Sequence, residues 1–180
     1  MNMLTYASPL GPLLIAASTQ GISGVYFESH RHFKGSAAWH SAPEHPLLLA
    51  AELQLQQYFA GIRVAFDLPL DISGGTAFQQ TVWRALQTIP AGVTRSYSEL
   101  AQSIGKPGAV RAVGSANARN PLSILIPCHR VIAASGALSG YAGGLQNKQD
   151  LLAFEAKKHQ FSTPFYRPEN MISAANPHQA

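Results

Sequence analysis

Cysteine is almost absent from this chain: its 180 residues contain one, Cys128. An internal disulfide is therefore excluded, and a reducing compartment fits. Charge is also scarce, at 12% Asp, Glu, Lys and Arg. A binder that works by charge alone is thus excluded, and specific geometry must carry part of any affinity. No apolar run approaches the roughly 18 residues of a membrane span, and the N-terminus shows no basic segment followed by an apolar one. The expectation is a soluble, cytoplasmic protein with no membrane partner. Apolar material is plentiful: 46% of the chain is hydrophobic, enough for one sizeable domain or two small ones.

The few charges are unevenly shared. Residues 1–75 carry three Lys/Arg and five Asp/Glu, a balance of −2, whereas residues 76–160 carry nine and three, a balance of +6. A basic second half suits a polyanionic partner, although excess cations often only solvate a surface.

The lone cysteine lies in Ile124-Leu125-Ile126-Pro127-Cys128-His129-Arg130-Val131-Ile132. An apolar run of this kind predicts a buried strand. Pro127 cannot donate to a ladder, so pairing must break or bulge just before the thiol. A thiol at such a break, beside an imidazole, makes a nucleophile, because the thiolate is the reactive form and a neighbouring His or cation lowers its pKa. Taken alone, a single cysteine is more often a small buried hydrophobe; His129 and Arg130 shift that balance.

Upstream, Leu4 to Ala7, Leu13 to Ala17 and Ile22 to Phe27 predict a meander of strands, with turns at Pro9-Leu10-Gly11-Pro12 and Thr19-Gln20-Gly21. Residues 28–45 predict a loop. Its His30, His32, His40 and His45, near Glu28 and Glu44, read as surface histidines rather than metal ligands, since no recognised ligand spacing is present. Pro46 opens a helix to about Phe59 with Gly61 as its stop, and Leu48, Ala51, Leu55 and Tyr58/Phe59 face the meander. Ile62 to Leu70 predicts one more strand. Ser73-Gly74-Gly75 predicts a boundary, giving an α/β domain over 1–75, a second domain over 76–160 and a loosely ordered tail over 161–180.

The second domain reads as mainly helical. Thr76 to Ile89 predicts a helix with Phe78, Val82, Trp83, Leu86 and Ile89 as its core stripe. Ser96-Tyr97-Ser98-Glu99 predicts a capping box, opening a short helix to about Ile104. Gly105-Lys106-Pro107-Gly108 turns the chain into a second short helix, Ala109 to Arg119. Two short helices around a glycine turn read as a helix-turn-helix, and Arg111 and Arg119 on the second favour DNA as its partner. Hairpins of this kind also occur in plain helical cores. Ser135-Gly136 and residues 139–144 predict a hairpin and a mobile glycine loop. Gln146 to about His159 closes as a helix with Leu151, Leu152 and Phe154 among its apolar positions.

Ile126-Pro127-Cys128-His129-Arg130-Val131 resembles the signature of the O6-alkylguanine-DNA alkyltransferases, also called methylated-DNA–protein-cysteine methyltransferases. Phe78-Gln79-Gln80-Thr81-Val82-Trp83, the Ser96-Tyr97 step, Val110-Arg111-Ala112-Val113-Gly114, Asn120-Pro121, and Tyr141 with Gly143-Gly144 carry the same resemblance. It is firm over 76–157, weaker over 3–75 and absent in the tail. It implies an N-terminal α/β domain of ribonuclease-H-like fold, followed by a mainly α domain with a winged helix-turn-helix. The implied activity is suicidal repair: an alkyl group moves from O6 of guanine, and secondarily O4 of thymine, in double-stranded DNA onto the protein's own cysteine. One molecule then performs one turnover, as a monomer and without a cofactor. Some members hold zinc in the first domain through cysteines; residues 1–75 have none, so no such zinc is expected.

The resemblance also implies roles. Cys128 matches the nucleophile, His129 the histidine that takes its proton through a water, and Glu155 the glutamate behind that histidine. Tyr97 matches the tyrosine that donates to the departing base, and Asn120 the asparagine that ties the helix-turn-helix to the cysteine loop. Arg111 matches the arginine that replaces the extruded base. Extrusion is needed because a base inside a duplex is out of reach of a catalytic pocket. Ala109, Val110, Ser115 and Arg119 complete the implied DNA surface, placed in the minor groove. Val131, Tyr141, Ala142 and Gly143 form the implied base pocket; Ala142 stands where serine is frequent. Arg130 reads as structural.

Three rival readings are weaker. An alkyltransferase-like protein that recognises lesions without transfer lacks the cysteine, which is present here. A helix-turn-helix regulator has no need of Pro127-Cys128-His129 or Glu155. A cysteine hydrolase needs a substrate groove that the sequence does not offer.

Overall fold

The computed structural model describes residues 1–33, 35 and 37–161. Alternation builds its sheet. In β1 (Asn2–Ser8) Leu4 and Tyr6 are buried while Thr5 and Ala7 face out. β2 (Gly11–Ala17) answers with Leu13 and Ile15, and β3 (Ile22–Phe27) with Ile22, Val25 and Phe27. β1 and β2 pair antiparallel from Asn2↔Ala17 to Ser8↔Gly11 around the two-residue turn Pro9-Leu10. β3 pairs antiparallel with β2 across an irregularity at Ala16/Ala17. The predicted meander is present, with β1 and β2 longer because the ladder runs up to the turn. A two-residue β4 (His40–Ser41), inside the predicted loop, pairs parallel with β1 and gives the order β3-β2-β1-β4.

α1 (Pro46–Ala60) lies over this sheet and buries Leu48, Ala51, Leu55 and Tyr58 against it. Gly61, at φ 87°, ends the helix in the left-handed region, where glycine carries no Cβ penalty.

Of two further predicted strands, Ile62 to Leu70 does not form and Ile124 to Ile132 keeps only its last two residues extended. Residues 62–70 touch the sheet through a single parallel bridge, Ile22↔Leu70, and residues 120–130 through another, Val25↔Leu122. The reason is proline. Pro69 and Pro121 each accept one bond on the β3 edge, Ile22 N–H→Pro69 O and Val25 N–H→Pro121 O, both 2.8 Å, but neither has an N–H to extend a ladder. The segment around Cys128 therefore coils. Ile124 takes a left-handed φ of 71°, Cys128–Arg130 forms one 3₁₀ turn, and extended pairing resumes only in β6 (Val131–Ile132).

The second half is helical, as read. Thr76 caps α2 (Ala77–Leu86) through a capping box with Gln79. The helix ends three residues before the predicted Ile89, which is nevertheless buried. β5 (Arg95–Ser96) pairs parallel with β6. The predicted box of Ser96 and Glu99 opens α3 (Tyr97–Ser103). Gly105, at φ 69°, turns the chain towards α4 (Val110–Ala118). Trp83 Nε1 donates to Ala116 O at 2.9 Å and fastens α2 to α4. The hairpin predicted after β6 reduces to a turn closed by Ala133 N–H→Ala137 O (3.1 Å) and Gly136 N–H→Ala133 O (2.9 Å), because β6 pairs with β5 instead. α5 (Leu145–Phe161) closes the described fold. The loosely ordered tail expected from Phe161 otherwise lies outside the described residues. Among the described residues, no helix is long and apolar enough to cross a membrane.

Leu55 is fully buried between α1 and the sheet. Leu55→Ala is expected to lower unfolding free energy by about 2–5 kcal/mol, measured as a fall in the urea midpoint at unchanged slope.

Candidate active site

The site begins with Asn120, 1% exposed at the end of α4. Its side chain does the work that strand pairing does elsewhere. Oδ1 accepts Leu122 N–H (3.0 Å), and Nδ2 donates to Ile126 O (2.8 Å) and to Cys128 Sγ (3.0 Å). One carboxamide thus satisfies the coil around Ile124 and sets the position of the thiol. Asn117, one turn earlier, adds Nδ2 to Cys128 O at 3.4 Å.

Cys128 is 4% exposed. Burial pushes its thiol up to about 11, against the opposing pull of the Asn120 hydrogen bond and of the Lys148 charge. At neutral pH the resting thiol is protonated, so a base must remove its proton before it can react.

His129 follows in the same 3₁₀ turn and is completely buried. Its Nε2 meets Glu155 Oε1 at 2.9 Å, while Nδ1 has no protein partner. Burial lowers the imidazole pKa and the Glu155 carboxylate opposes that shift. Arg130, read as structural, closes a bidentate fork on the same carboxylate: Nε to Oε2 at 2.9 Å and Nη2 to Oε1 at 2.8 Å. Nη1 donates to Ile89 O. For Glu155, burial alone raises a carboxyl pKa. The His129 and Arg130 contacts outweigh it and hold the group far below the usual carboxylate range.

The remaining wall is built from carbonyls. Tyr97 Oη donates to Ser139 O at 3.2 Å, and burial raises its pKa. Lys148, on α5, has no exposed surface; its Nζ donates to Val131 O (2.6 Å) and Ser139 O (2.8 Å) and lies 6.0 Å from the centre of the Tyr97 ring. Burial lowers it to about 8, with the Cys128 charge opposing. Tyr141 and Gly143 are buried and Ala142 half-buried. The Ala142 carbonyl accepts Arg31 N–H at 2.9 Å, and Phe27 packs on Tyr141 at 6.2 Å between ring centres. A Cβ on Gly143 would lie 2.5 Å from the Phe27 ring, so glycine is required there.

On α4, Arg111 and Ser115 are exposed and Ala109 and Val110 half-buried. Arg119 sits apart from them. It caps the far end of α4, roughly 12 Å along the axis from Arg111 at about 1.5 Å per residue, and lines a cleft with His32, Trp83 and Gly75.

The structure thus gathers Cys128, His129, Glu155, Asn120, Tyr97, Val131 and Tyr141 around one centre and leaves Arg119 outside it. The surface reading fails for His30, which is 5% exposed, edge-on to Tyr26 at 5.1 Å, and accepts His32 N–H on Nδ1 at 3.3 Å. Lys148 was missed. It lies in the polar run Gln146-Asn147-Lys148-Gln149-Asp150, and nothing there separates it from the exposed lysines that such runs normally carry.

Comparison with known proteins gives the family. The family model for the DNA binding domain of 6-O-methylguanine DNA methyltransferase matches residues 77–157, and the model for its ribonuclease-like domain matches residues 1–72. The chain belongs to this family. The methylated-DNA–protein-cysteine methyltransferase of Mycobacterium leprae is 48% identical over 156 residues, covering 87% of this chain and 92% of that one. The constitutive enzyme of Bacillus subtilis is 47% identical over 157 residues, covering 86% and 93%. The crystal structure of Mycobacterium tuberculosis OGT in complex with DNA superposes with a TM-score of 0.80 at 45% identity, covering 88% of this chain and 94% of that one.

Asn120→Ala strips the thiol of its donor, takes one of two donors from the Ile126 carbonyl, which keeps Cys128 N–H, and leaves Leu122 N–H unpaired. The expected loss is about 2–3 kcal/mol of stability. The same change removes a bond that favours the thiolate, so the midpoint of Cys128 alkylation by iodoacetamide, followed against pH, is expected to rise above that of the wild type.

Proposed function

We propose that this chain repairs O6-alkylguanine in DNA directly, moving the alkyl group onto Cys128 in one irreversible turnover. The observation that carries this reading is the buried line Asn120–Cys128–His129–Glu155, with His129 Nδ1 free of any protein partner. That nitrogen is the one available to a water beside the thiol. His129 takes the Cys128 proton through this water, and Glu155 holds the imidazolium that results. The thiolate attacks the alkyl carbon, the S–C bond forms, the C–O6 bond breaks, and the guanine takes a proton as it leaves. Tyr97 supplies the hydrogen bond or proton at the base. The protons balance: one leaves the thiol and one ends on guanine. No cofactor enters this chemistry.

The remaining roles follow from placement. Exposed Arg111, near the start of α4, replaces the extruded base; its planar guanidinium stacks on neighbouring bases while its donors reach the orphaned partner. Ala109, Val110 and Ser115 give the small, close surface that a minor-groove contact needs. The carbonyl of Val131 and the Tyr141–Gly143 wall receive the base, with Lys148 bracing Val131 against Ser139. O4-alkylthymine is a secondary substrate. Residues 76–160 carry binding and chemistry, residues 1–75 hold them in shape, and the protein works as a monomer in the cytoplasm, on the nucleoid in a bacterial cell. Recognition without transfer is the second reading, and the presence of Cys128 weighs against it.

Intact-protein mass after incubation with a duplex carrying O6-methylguanine is the direct test. The expected result is one methyl group per molecule, mapped to Cys128 and absent in Cys128→Ser; tight lesion binding without that gain would sink the proposal. His129→Ala and Glu155→Gln are expected to slow single-turnover transfer by about 10²–10⁴-fold. Arg111→Ala is expected to slow transfer from duplex DNA while sparing transfer from the free alkylated base.

A further inference from the structure

The hydroxyl that α1 places on Glu155 is unused by the transfer reading. Tyr58, on α1, donates its hydroxyl to Glu155 Oε1 at 2.7 Å and is 1% exposed. The same oxygen accepts His129 Nε2 at 2.9 Å and Arg130 Nη2 at 2.8 Å. The other oxygen accepts Arg130 Nε at 2.9 Å and Gly92 N–H at 3.2 Å. The Tyr58 ring is held by Phe59, Phe66 and Phe154, with centres 5.2, 5.6 and 5.4 Å away. Its hydroxyl therefore has a defined direction, and burial raises its pKa well above the ordinary tyrosine value, so it stays a donor through the working pH range.

We propose that Tyr58 is a positioning residue of the transfer reaction: by sharing Oε1 with His129, it limits how strongly Glu155 holds a proton on the imidazole. This rests on the reading of Cys128, His129 and Glu155 as the proton relay. The fork of Arg130 already fixes both carboxylate oxygens, so Tyr58 is not needed to keep Glu155 in place. A further donor on Oε1 instead spreads the negative charge that His129 feels. The charged groups acting on His129 are Glu155 and Lys148 of α5 and Arg130 of its own turn. Those acting on Tyr58 are Glu155, Arg130 and Tyr141. The hydroxyl is thus a neutral adjuster within a set of fixed charges.

The sign follows. Removing the hydroxyl leaves Glu155 more negative, which raises the His129 pKa. The relay needs neutral His129, so transfer then fails at a higher pH as the solution is acidified. Tyr58→Phe is expected to move the acid limb of the single-turnover methyl-transfer profile upward by about half to one pH unit. A 3-fluorotyrosine placed at position 58 alone keeps the ring and strengthens the donor, and it is expected to move that limb downward. Titration of the His129 imidazole by NMR, without DNA, is expected to shift in the same two directions. A limb and a titration unmoved in both proteins would overturn the proposal, whatever happens to Tm, because packing alone cannot produce opposite shifts. If the wild type takes no methyl group, the transfer reading fails, and the NMR titration still decides whether Tyr58 acts on His129.

Discussion

A carboxylate inside a protein is tolerable only if its lone pairs are filled, and Glu155 fills them from three separate parts of the chain. Tyr58 reaches it from α1, Gly92 from the turn after α2, and His129 and Arg130 from the 3₁₀ turn, while Glu155 itself rides on α5. No two of the three donor segments are neighbours in sequence. The desolvation cost of the charge is met only when all have arrived, so the anion acts as a check on assembly as well as a partner for the imidazole. Arg130 is central to this. Without its fork, the negative charge next to His129 would have too little compensation to remain buried.

Around that anion the reactive segment is held by side chains instead of by a ladder. Asn120 and Asn117 serve backbone groups and the sulfur, and Lys148 serves the carbonyls of Val131 and Ser139. The result is a thiol placed by polar groups that are themselves buried. Such a group has little freedom to reorient, which suits a nucleophile that must meet a carbon along one line. It also explains why Ile124 keeps a left-handed backbone conformation that a β-branched residue avoids elsewhere.

Much of this was legible in the sequence, and the boundary between legible and hidden is physical. Local signals read correctly: the Ser96–Glu99 capping box, the Gly61 stop, the Pro46 start and the alternation of β1 to β3 each depend on residues within one turn or one strand. The apolar run at Ile124 was misread as a strand because apolar content reports burial and not backbone shape; Asn120, upstream of the run, decides the shape. The Ile62–Leu70 strand failed for a related reason, since pairing was limited by Pro69 and by a partner strand far away. Cys128 and His129 stand out from the residues themselves, as a thiol beside an imidazole just after Pro127, whereas Glu155 comes only from the family pattern and by spacing alone reads as an ordinary helix residue. Tyr58 was recognised as a core position, but its hydroxyl's partner lies across the fold, and Lys148 left no trace at all.

The two single bridges on the β3 edge have a consequence for how the molecule comes together. Ile22 waits for Leu70 and Val25 waits for Leu122, so each contact closes a long loop of chain before it returns any energy. Contacts of such separation slow folding relative to hairpins and helices. The meander and the helix pairs can therefore form early and locally, while the segment bearing the nucleophile docks late. The β3 edge is thus covered by two segments, residues 69–71 at Ile22 and residues 121–123 at Val25, which blunts it against pairing with another chain.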